Sequence, residues 1–262
     1  MPSEPRIPTN LRTLRILEIL GESDHAMSAT EINSHLRLPK QTVHRLCTTL
    51  EREGFLARQP NSKKFFPARR LRGLGLGLLH NSRSHIERHQ ILREVSREVR
   101  ETVNFVVPTD AGMSYLDRVE TDWAFRIQLP IGSHVPFHCT ASGKCFMASL
   151  APKARARFVA ALPLEAMTGA THRAPEPLLE ELAVIAKQGY SIDNEEFVEG
   201  MVAIAVPIRD AKNRFVAALA FHGPTQRVSV EGAIEKLGCL EDAAARLSTA
   251  IMGETEDALV GA

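Results

Sequence analysis

Long hydrophobic runs are absent from this chain of 262 residues. No stretch of about 18 apolar residues exists, so no transmembrane helix is expected. The first residues, Met1-Pro2-Ser3-Glu4-Pro5, carry neither a basic cluster nor an apolar segment, and no signal peptide is read there. Cysteine is scarce: Cys47, Cys139, Cys145 and Cys239 are scattered and form no C-x-x-C pair. A disulfide framework is not expected, and the reading favours a reducing cytoplasm. Net charge is also nearly lacking, at +1. Taken whole, that balance argues against nucleic acid as a partner. Divided along the chain it argues the reverse. Residues 1–90 hold 15 Lys/Arg and 8 Asp/Glu, a net +7, whereas residues 91–262 hold 17 and 23, a net −6. A basic module joined to an acidic one suggests nucleic acid or a membrane as the basic module's partner. At 44% hydrophobic residues, the chain can bury a sizeable core.

Within the basic module, Leu11, Leu14 and Leu17, with Leu20 at one edge, repeat at helical spacing. Thr9 or Asn10 is the expected cap and Gly21 the expected stop. Ser28-Ala-Thr-Glu31 reads as a capping box ahead of Ile32 and Leu36. Pro39 suits the first turn of a third helix, where its missing N–H costs nothing. That helix sends Val43, Leu46 and Leu50 inward and presents Lys40, Gln41, Thr42, His44 and Arg45, with Gly54 at its C-terminal turn. Residues 55–58 and 64–67 read as short strands around a turn at 60–63. Three helices followed by a two-stranded hairpin is the order of a winged helix-turn-helix, expected within residues 1–70. Its third helix has the two faces a recognition helix needs: one apolar, one able to read base edges in a major groove. Ser28 or Thr30, at the start of the second helix, can hold a phosphate. Lys63 and Lys64 would track phosphates beside the groove, and Arg69, Arg70 and Arg72 extend the basic surface. The alternative is a small helical interaction domain with an incidental basic face.

Residues 69–101 read as helix with a break near 81–84, making 71–84 a helical linker. Leu71, Leu74, Leu78 and Leu79 form one apolar stripe. Gly73, Gly75 and Gly77 lack the last glycine of G-x-G-x-x-G and follow no buried strand. They are read as permitting close helix packing or a flexible joint. Ile91, Leu92, Val95 and Val99 form a second stripe, which either meets a dimer partner or packs on the downstream domain.

In the acidic module, strands are expected at residues 103–108, 114–119 and 124–129, with a strand pair at 202–208 and 215–221. Helices are expected at 140–150, from Pro152 onward, at 177–187 with Gly189 as the stop, and at about 230–251. Strands mixed with segregated helices imply an α+β domain. Asp193, Glu195, Glu196 and Glu199 fall within seven positions. A metal or paired-carboxylate catalytic site is the sharp reading, and a solvated acidic turn supplying one pocket residue is preferred. His138 and Cys139 are neighbours whose side chains usually point apart, and a third partner is missing, so neither catalysis nor zinc is assigned. Ser142-Gly-Lys144 is not the S-x-x-K spacing of acyl enzymes. No catalytic residue, metal or cofactor is expected.

Three motifs follow in order. The first is Leu38-Pro-Lys-Gln-Thr-Val-His-Arg-Leu46 with Leu50-Glu-Arg-Glu-Gly-Phe55. The second runs from Pro130-Ile-Gly132 to Thr140-Ala-Ser-Gly143-Lys144. The third is Gly189-Tyr-Ser-Ile-Asp193-Asn-Glu-Glu196-Phe-Val-Glu199-Gly200-Met-Val-Ala-Ile-Ala-Val-Pro207-Ile. With them, the chain resembles the IclR family of bacterial transcription regulators over nearly its whole length. The resemblance implies a winged helix-turn-helix, a helical linker, a GAF-like effector-binding domain at residues 85–253 and a flexible tail at 254–262, assembled as homodimers or tetramers. It implies a repressor or activator of a catabolic operon, with a double-stranded DNA operator and a small-molecule carboxylate effector as partners. It implies an apolar pocket wall of Ala124, Ile127, Val135 and Met201, and a carboxylate-cradling turn at Ala141 and Ser142, where helix N–H groups favour an anion. Asp193 matches the acidic position at the pocket mouth. Ala203 stands at a position where cysteine occurs in the family, and Ala220 and His222 where some members carry small hydroxyl residues. These departures suit a larger or aromatic acid better than a very small keto acid, with His222 and Arg126 helping to hold the anion. Two other readings stay open: an enzyme with an auxiliary DNA-binding domain, and a constitutive DNA-binding protein whose second domain only oligomerises.

Overall fold

The computed structural model describes residues 7–23, 25–81, 84–124, 126 and 131–253. The chain divides into two compact units, Met1–Asn81 and Ser82–Ala262.

The first unit opens with a 3-10 turn at Thr9–Leu11 and helix α1, Arg12–Glu22. Strand β1 (Met27–Ser28), α2 (Ala29–Leu36) and α3 (Lys40–Arg52) follow, then the hairpin β2 (Leu56–Arg58) and β3 (Lys64–Pro67), then α4 (Arg69–Asn81). Helix α1 buries Ile16 and Leu20, while Leu11 and Leu14 remain 42% and 54% exposed. The expected leucine stripe is thus out of phase. With apolar residues at 14, 16, 17, 19 and 20, several phases satisfy the pattern, and packing selects the one through Ile16. Neither Thr9 nor Asn10 caps the helix, because the 3-10 turn occupies its start. The capping box at α2 forms as read: Ser28 Oγ accepts the Glu31 N–H at 3.2 Å, and Glu31 Oε2 accepts the Ser28 N–H at 2.6 Å. Such a cap contributes about 1 kcal/mol. On α3, Val43, Cys47 and Leu50 are buried, and Leu46 is only half-buried. They close a core with Ile32, Leu36 and Phe65. The strand order β1-β3-β2 adds a third strand to the expected hairpin. At two residues, β1 is too short to show an alternation. On α4, Leu74 and Leu78 are exposed, and the Leu79 side chain lies outside the described residues. A Cβ at Gly73, Gly75 or Gly77 would meet nothing within 4 Å, so these glycines serve no close packing among the described residues.

The second unit is one antiparallel sheet with helices on both faces. In chain order it comprises α5 (Ser84–Val99), β4 (Thr102–Thr109), β5 (Gly112–Val119), β6 (His134–Val135), α6 (Ala141–Ser149), α7 (Pro152–Ala160) and α8 (Pro175–Gln188). It continues with β7 (Ser191–Asn194), β8 (Met201–Arg209), β9 (Phe215–Pro224), α9 (Val230–Glu235) and α10 (Leu237–Gly253). The strand order is β6-β5-β4-β9-β8-β7. Helix α5 lies on β4, β5 and α10, and this packing buries Ile91, Leu92 and Val95. The second stripe is therefore intradomain core rather than a dimer contact. Arg88 pins the helix to the sheet, donating from Nε to Asp117 Oδ2 at 3.0 Å with its guanidinium over the Phe105 ring. The expected final helix is two helices, because α9 ends in a turn at Lys236 whose N–H is taken by Ala233 and Ile234 carbonyls. The strand expected at 124–129 falls mostly outside the described residues, as does the tail at 254–262.

Helix α6 approaches the segment that leads into it from β6 more closely than a side chain at position 143 would allow. A Cβ on Gly143 would lie 2.3 Å from the Phe137 carbonyl oxygen and 2.5 Å from the Phe137 Cα. Both are backbone atoms and cannot rotate away. Gly143→Ala is expected to destabilise the protein by about 3 kcal/mol, at the upper end of ordinary overpacking costs. Thermal or urea unfolding checks this, and an unchanged midpoint would refute the close approach.

Candidate functional site

In the first unit, Asn33 sets the angle between α2 and α3. Its Nδ2 donates to the Leu38 carbonyl at 2.8 Å, and its Oδ1 accepts the Leu38 N–H at 3.0 Å. Arg37 turns the chain in the left-handed region between the two helices. A groove of about 330 Å³ results, lined by Ala29, Thr30, Asn33, Lys40, Gln41, His44 and Arg45. Five of the expected DNA-contacting residues thus share one surface, and Lys40, Gln41, His44 and Arg45 are exposed on it. Thr42 is half-buried beside them. Ser28 is engaged in the cap, and the Glu31 carboxylate occupies the start of α2 where a phosphate was expected. Glu31 also pairs with Lys64 at 3.2 Å, while Lys63 stays exposed in the hairpin loop. The hairpin is braced on α3 by Arg58, whose Nε donates to Glu51 Oε1 at 2.8 Å. Arg70 and Arg72 donate to the carbonyls of Glu53 and Pro67 and so hold α4 to the unit.

In the second unit, the sheet register builds a cavity. Asp193 on β7 pairs with Ala203 on β8, which pairs with His222 on β9. One row along, Ser191, Ala205, Ala220 and Asn104 are aligned across β7, β8, β9 and β4. Residues two apart share a face, so α6 meets a patch of alanines. Its Ala141 and Cys145 pack on Ala203, Ala205, Ala218 and Ala220. These short side chains leave a small cavity of about 20 Å³, room for about one water, beside the first turn of α6. Ala141, Ser142, Asp193, Met201, Ala203, Ala220 and His222, all expected at the effector pocket, line it together. Asn104, Tyr115, Thr140, Phe197 and Phe221 complete the wall and escaped the sequence reading. A polar residue inside the apolar run Val103-Asn-Phe-Val-Val was the available signal for Asn104.

Three expected pocket residues among the described ones are not in this wall. Val135 belongs to a separate core cluster with Met113 and Tyr115, because β6 pairs with the far edge of β5. Ala124 is exposed. Arg126 turns to Glu120, donating from Nε at 3.0 Å, and to the Trp123 carbonyl, so it is not placed to hold an anion in the cavity. Ile127 lies outside the described residues.

The acidic turn is not solvated. Asp193 is 1% exposed and Glu196 is buried, while only Glu199 among the four acidic residues is exposed. Asp193 Oδ1 accepts the N–H groups of Glu196 at 2.8 Å and Phe197 at 3.2 Å. Its buried Oδ2 has no hydrogen-bond partner. Burial, and then the neighbouring Glu196, push this carboxyl up to about 7. Lys144, fully buried on α6, donates to Glu196 and, at 2.6 Å, to Glu181 on α8. Burial opposes its charge, but the two carboxylates outweigh burial and hold the ammonium above its ordinary pKa. His172 joins at 2.8 Å from Glu181. His172, Glu181 and Glu196 have metal-ligand spacing, yet the Lys144 ammonium already supplies the cation that their carboxylates face. His138 donates from Nε2 to the Glu165 carbonyl, and burial pushes the Cys139 thiol up to about 12, so the pair does not form a thiolate nucleophile with its base. His85 and His89, at H-x-x-x-H spacing that the sequence reading passed over, stack on each other and face Asp117.

The N–H groups of a first helical turn have no intrahelical acceptor. Thr140 Oγ1 satisfies that of Gly143, and the donors of Ala141 and Ser142 stand at the cavity wall. Such a turn favours an anion.

Comparison with known proteins settles the relationship. Residues 11–60 match the IclR helix-turn-helix domain, and residues 78–249 match the family described as bacterial transcriptional regulator IclR C-terminal. The chain belongs to the IclR family. IclR-family regulators bind DNA operators and small-molecule effectors, and the matched relatives are named as regulators rather than enzymes. The chain is 38% identical over 221 residues to "Probable transcriptional regulator SauR" of Cupriavidus necator, covering 84% of this chain and 88% of that one. It is 30% identical to the transcriptional repressor IclR of Escherichia coli, covering 96% and 92%. The crystal structure of the Thermotoga maritima IclR aligns with a TM-score of 0.61 at 26% identity, covering 92% and 97%. An IclR homologue from Microbacterium hydrocarbonoxydans, solved in complex with 4-hydroxybenzoate, aligns at 0.56 and 26%, covering 92% and 98%. Among the described residues of this IclR-family chain, no helix is long and apolar enough to cross a membrane.

The raised pKa of Asp193 makes stability depend on pH. Its folded value, about 7, lies above the ordinary 3.8. The folded state therefore holds more protons than the unfolded state between these values, and this group's contribution to stability falls as pH rises through that window. Asp193→Asn keeps Oδ1 for both backbone N–H groups and removes the charge. The melting temperature of the variant minus that of the wild type should increase from pH 4 to pH 7 and then level off. A difference independent of pH would show that Asp193 does not titrate there.

Proposed function

We propose that this protein is an effector-controlled transcription regulator that senses a small organic acid. The exposed set Lys40, Gln41, His44 and Arg45 on one face of α3 carries the DNA half of this reading. In a helix-turn-helix, this helix enters the major groove, where Arg45 and Lys40 suit guanine and Gln41 suits adenine. Lys63, exposed at the hairpin loop, takes the phosphate role. The α4 region joins the two units as the linker. A homodimer or tetramer would place two recognition helices on half-sites about 34–36 Å apart.

The effector binds between α6 and the alanine face by widening the small cavity there, its carboxylate at the N–H groups of Ala141 and Ser142 and its body against Met201 and Phe197. Support comes from the helix start, the buried acidic turn, and the 4-hydroxybenzoate carried by the Microbacterium homologue. Control is a coupling between the two sites, and a typical coupling of about 1–3 kcal/mol changes DNA affinity about 5–150-fold.

Operator titration with and without small acids tests the whole reading. Arg45→Ala should weaken operator binding by about 1–3 kcal/mol and relax the preference at one base position. Lys63→Ala should instead weaken all DNA alike and make the salt slope shallower by about one unit. Loss of preference at a single base in the Lys63 variant, or none in the Arg45 variant, would reverse the assignments. Asp193→Ala should shift the acid concentration needed for a response while leaving the DNA affinity of the ligand-free protein unchanged. An unaltered response would remove Asp193 from the effector site.

A further inference from the structure

Asn104 places an amide inside an otherwise apolar run. It stands on β4 opposite Ala220, 1% exposed, between Val103 and Phe105, which are fully buried. Its Nδ2 lies 3.1 Å from Nδ1 of His222, which sits one row along on β9. With the amide oriented to donate there, Asn104 Oδ1 is left buried at the cavity without a hydrogen-bond partner. Asp193 Oδ2 is the second buried oxygen in the same wall without a partner. Ala203 and Ala220 stand between the two acceptors and carry no donor. A buried polar atom without a partner is costly, and a site that leaves such an atom discriminates strongly once a ligand supplies the missing group.

We infer that Asn104 is a specificity-determining residue, selecting a carboxylate that also carries a hydrogen-bond donor, with a hydroxyl as the fitting group. The inference rests on the proposed effector site. The carboxylate takes the first turn of α6, and the donor reaches Asn104 Oδ1. Asp193 serves the same hydroxyl in either protonation state, accepting from it when ionised and donating to it when neutral. His222 positions the Asn104 amide through the Nδ2 to Nδ1 bond. An acid of similar size without a donor would leave Asn104 Oδ1 as it is now.

Binding to the full-length protein can be measured by thermal shift and calorimetry with matched pairs: lactate and propionate, malate and succinate, 4-hydroxybenzoate and benzoate. Alanine beside lactate separates an ammonium donor from a hydroxyl. In at least one pair, the hydroxyl member should bind about tenfold or more tightly than its partner. Asn104→Leu, close in volume, should reduce that ratio toward one while changing the weaker member little. The wild-type ratio needs no variant, so a poorly folding Asn104→Leu leaves the inference open to refutation. Equal binding within every pair, or a ratio retained in Asn104→Leu, overturns the inference and leaves the effector site standing. A preference for alanine over lactate overturns the hydroxyl. Failure of all these acids to bind, with operator binding intact, overturns the proposed effector site as well.

Discussion

Lys144 carries the cation on which the second unit's architecture depends. It enters the core from α6 and meets Glu196 from the turn after β7 and Glu181 from α8. Removing one partner of such a buried set costs about 3–5 kcal/mol, because the other charges stay buried without compensation. The interaction therefore ties α6, α8 and the turn after β7 together at one point. Its consequence reaches the cavity through one further bond. The backbone N–H of Glu196 binds Asp193 Oδ1, so the residue that compensates Lys144 also aims Asp193. Thr168 and Thr171 hold the same turn from outside by donating to the carbonyls of Glu195 and Glu196. The start of α6 and the carboxyl opposite it are thus positioned by a single ionic cluster.

A close approach by α6 is only possible because the sequence supplies small residues on both sides. Gly143 lets the helix sit against the backbone at Phe137, and alanines at 203, 205, 218 and 220 hold the sheet face low. Larger side chains at those positions would fill the cavity and push the helix outward. The first unit is held by different means. A capping box, the Asn33 bracket and the Arg58–Glu51 pair are local contacts, each closing a short stretch of chain. They orient α3 without drawing on the second unit.

The first unit was largely legible because its determinants are local. Ser28 and Glu31 announce a helix start, Gly54 a stop, and the basic residues after Pro39 a polar face. The phase of α1 was not legible, since too many apolar positions satisfied a helical period. In the second unit, the strands at 202–208 and 215–221 could be read from composition, and the family motifs pointed to Asp193, Ala141 and Ser142. The partners of Lys144 could not be read, because Glu181 and Glu196 lie 37 and 52 positions away and meet it only after folding. The acidic turn was misjudged as solvated for the same reason: the cation that permits its burial is remote in sequence. Val135 and Asn104 were misplaced or missed because strand register, which single residues do not reveal, decides who faces the cavity, and Arg126 because Glu120 takes its guanidinium.

An acidic domain is an unexpected place for an anion, but total charge is the wrong quantity to weigh. Charges farther apart than a Debye length, about 8 Å at physiological ionic strength, are largely screened at the surface. Within the cavity, the near terms decide. The first turn of α6 offers oriented N–H groups, and Lys144 balances Glu196 behind the wall. Asp193 is the one local charge that opposes a bound carboxylate, and it is also the group whose proton is held up to about 7. On the proposed reading, an arriving anion would raise that value further, so that Asp193 would take up a proton as the ligand binds and the repulsion would be removed rather than endured. The same neutral carboxyl would then donate to the ligand, and the least hospitable residue of the cavity would become part of its means of recognition.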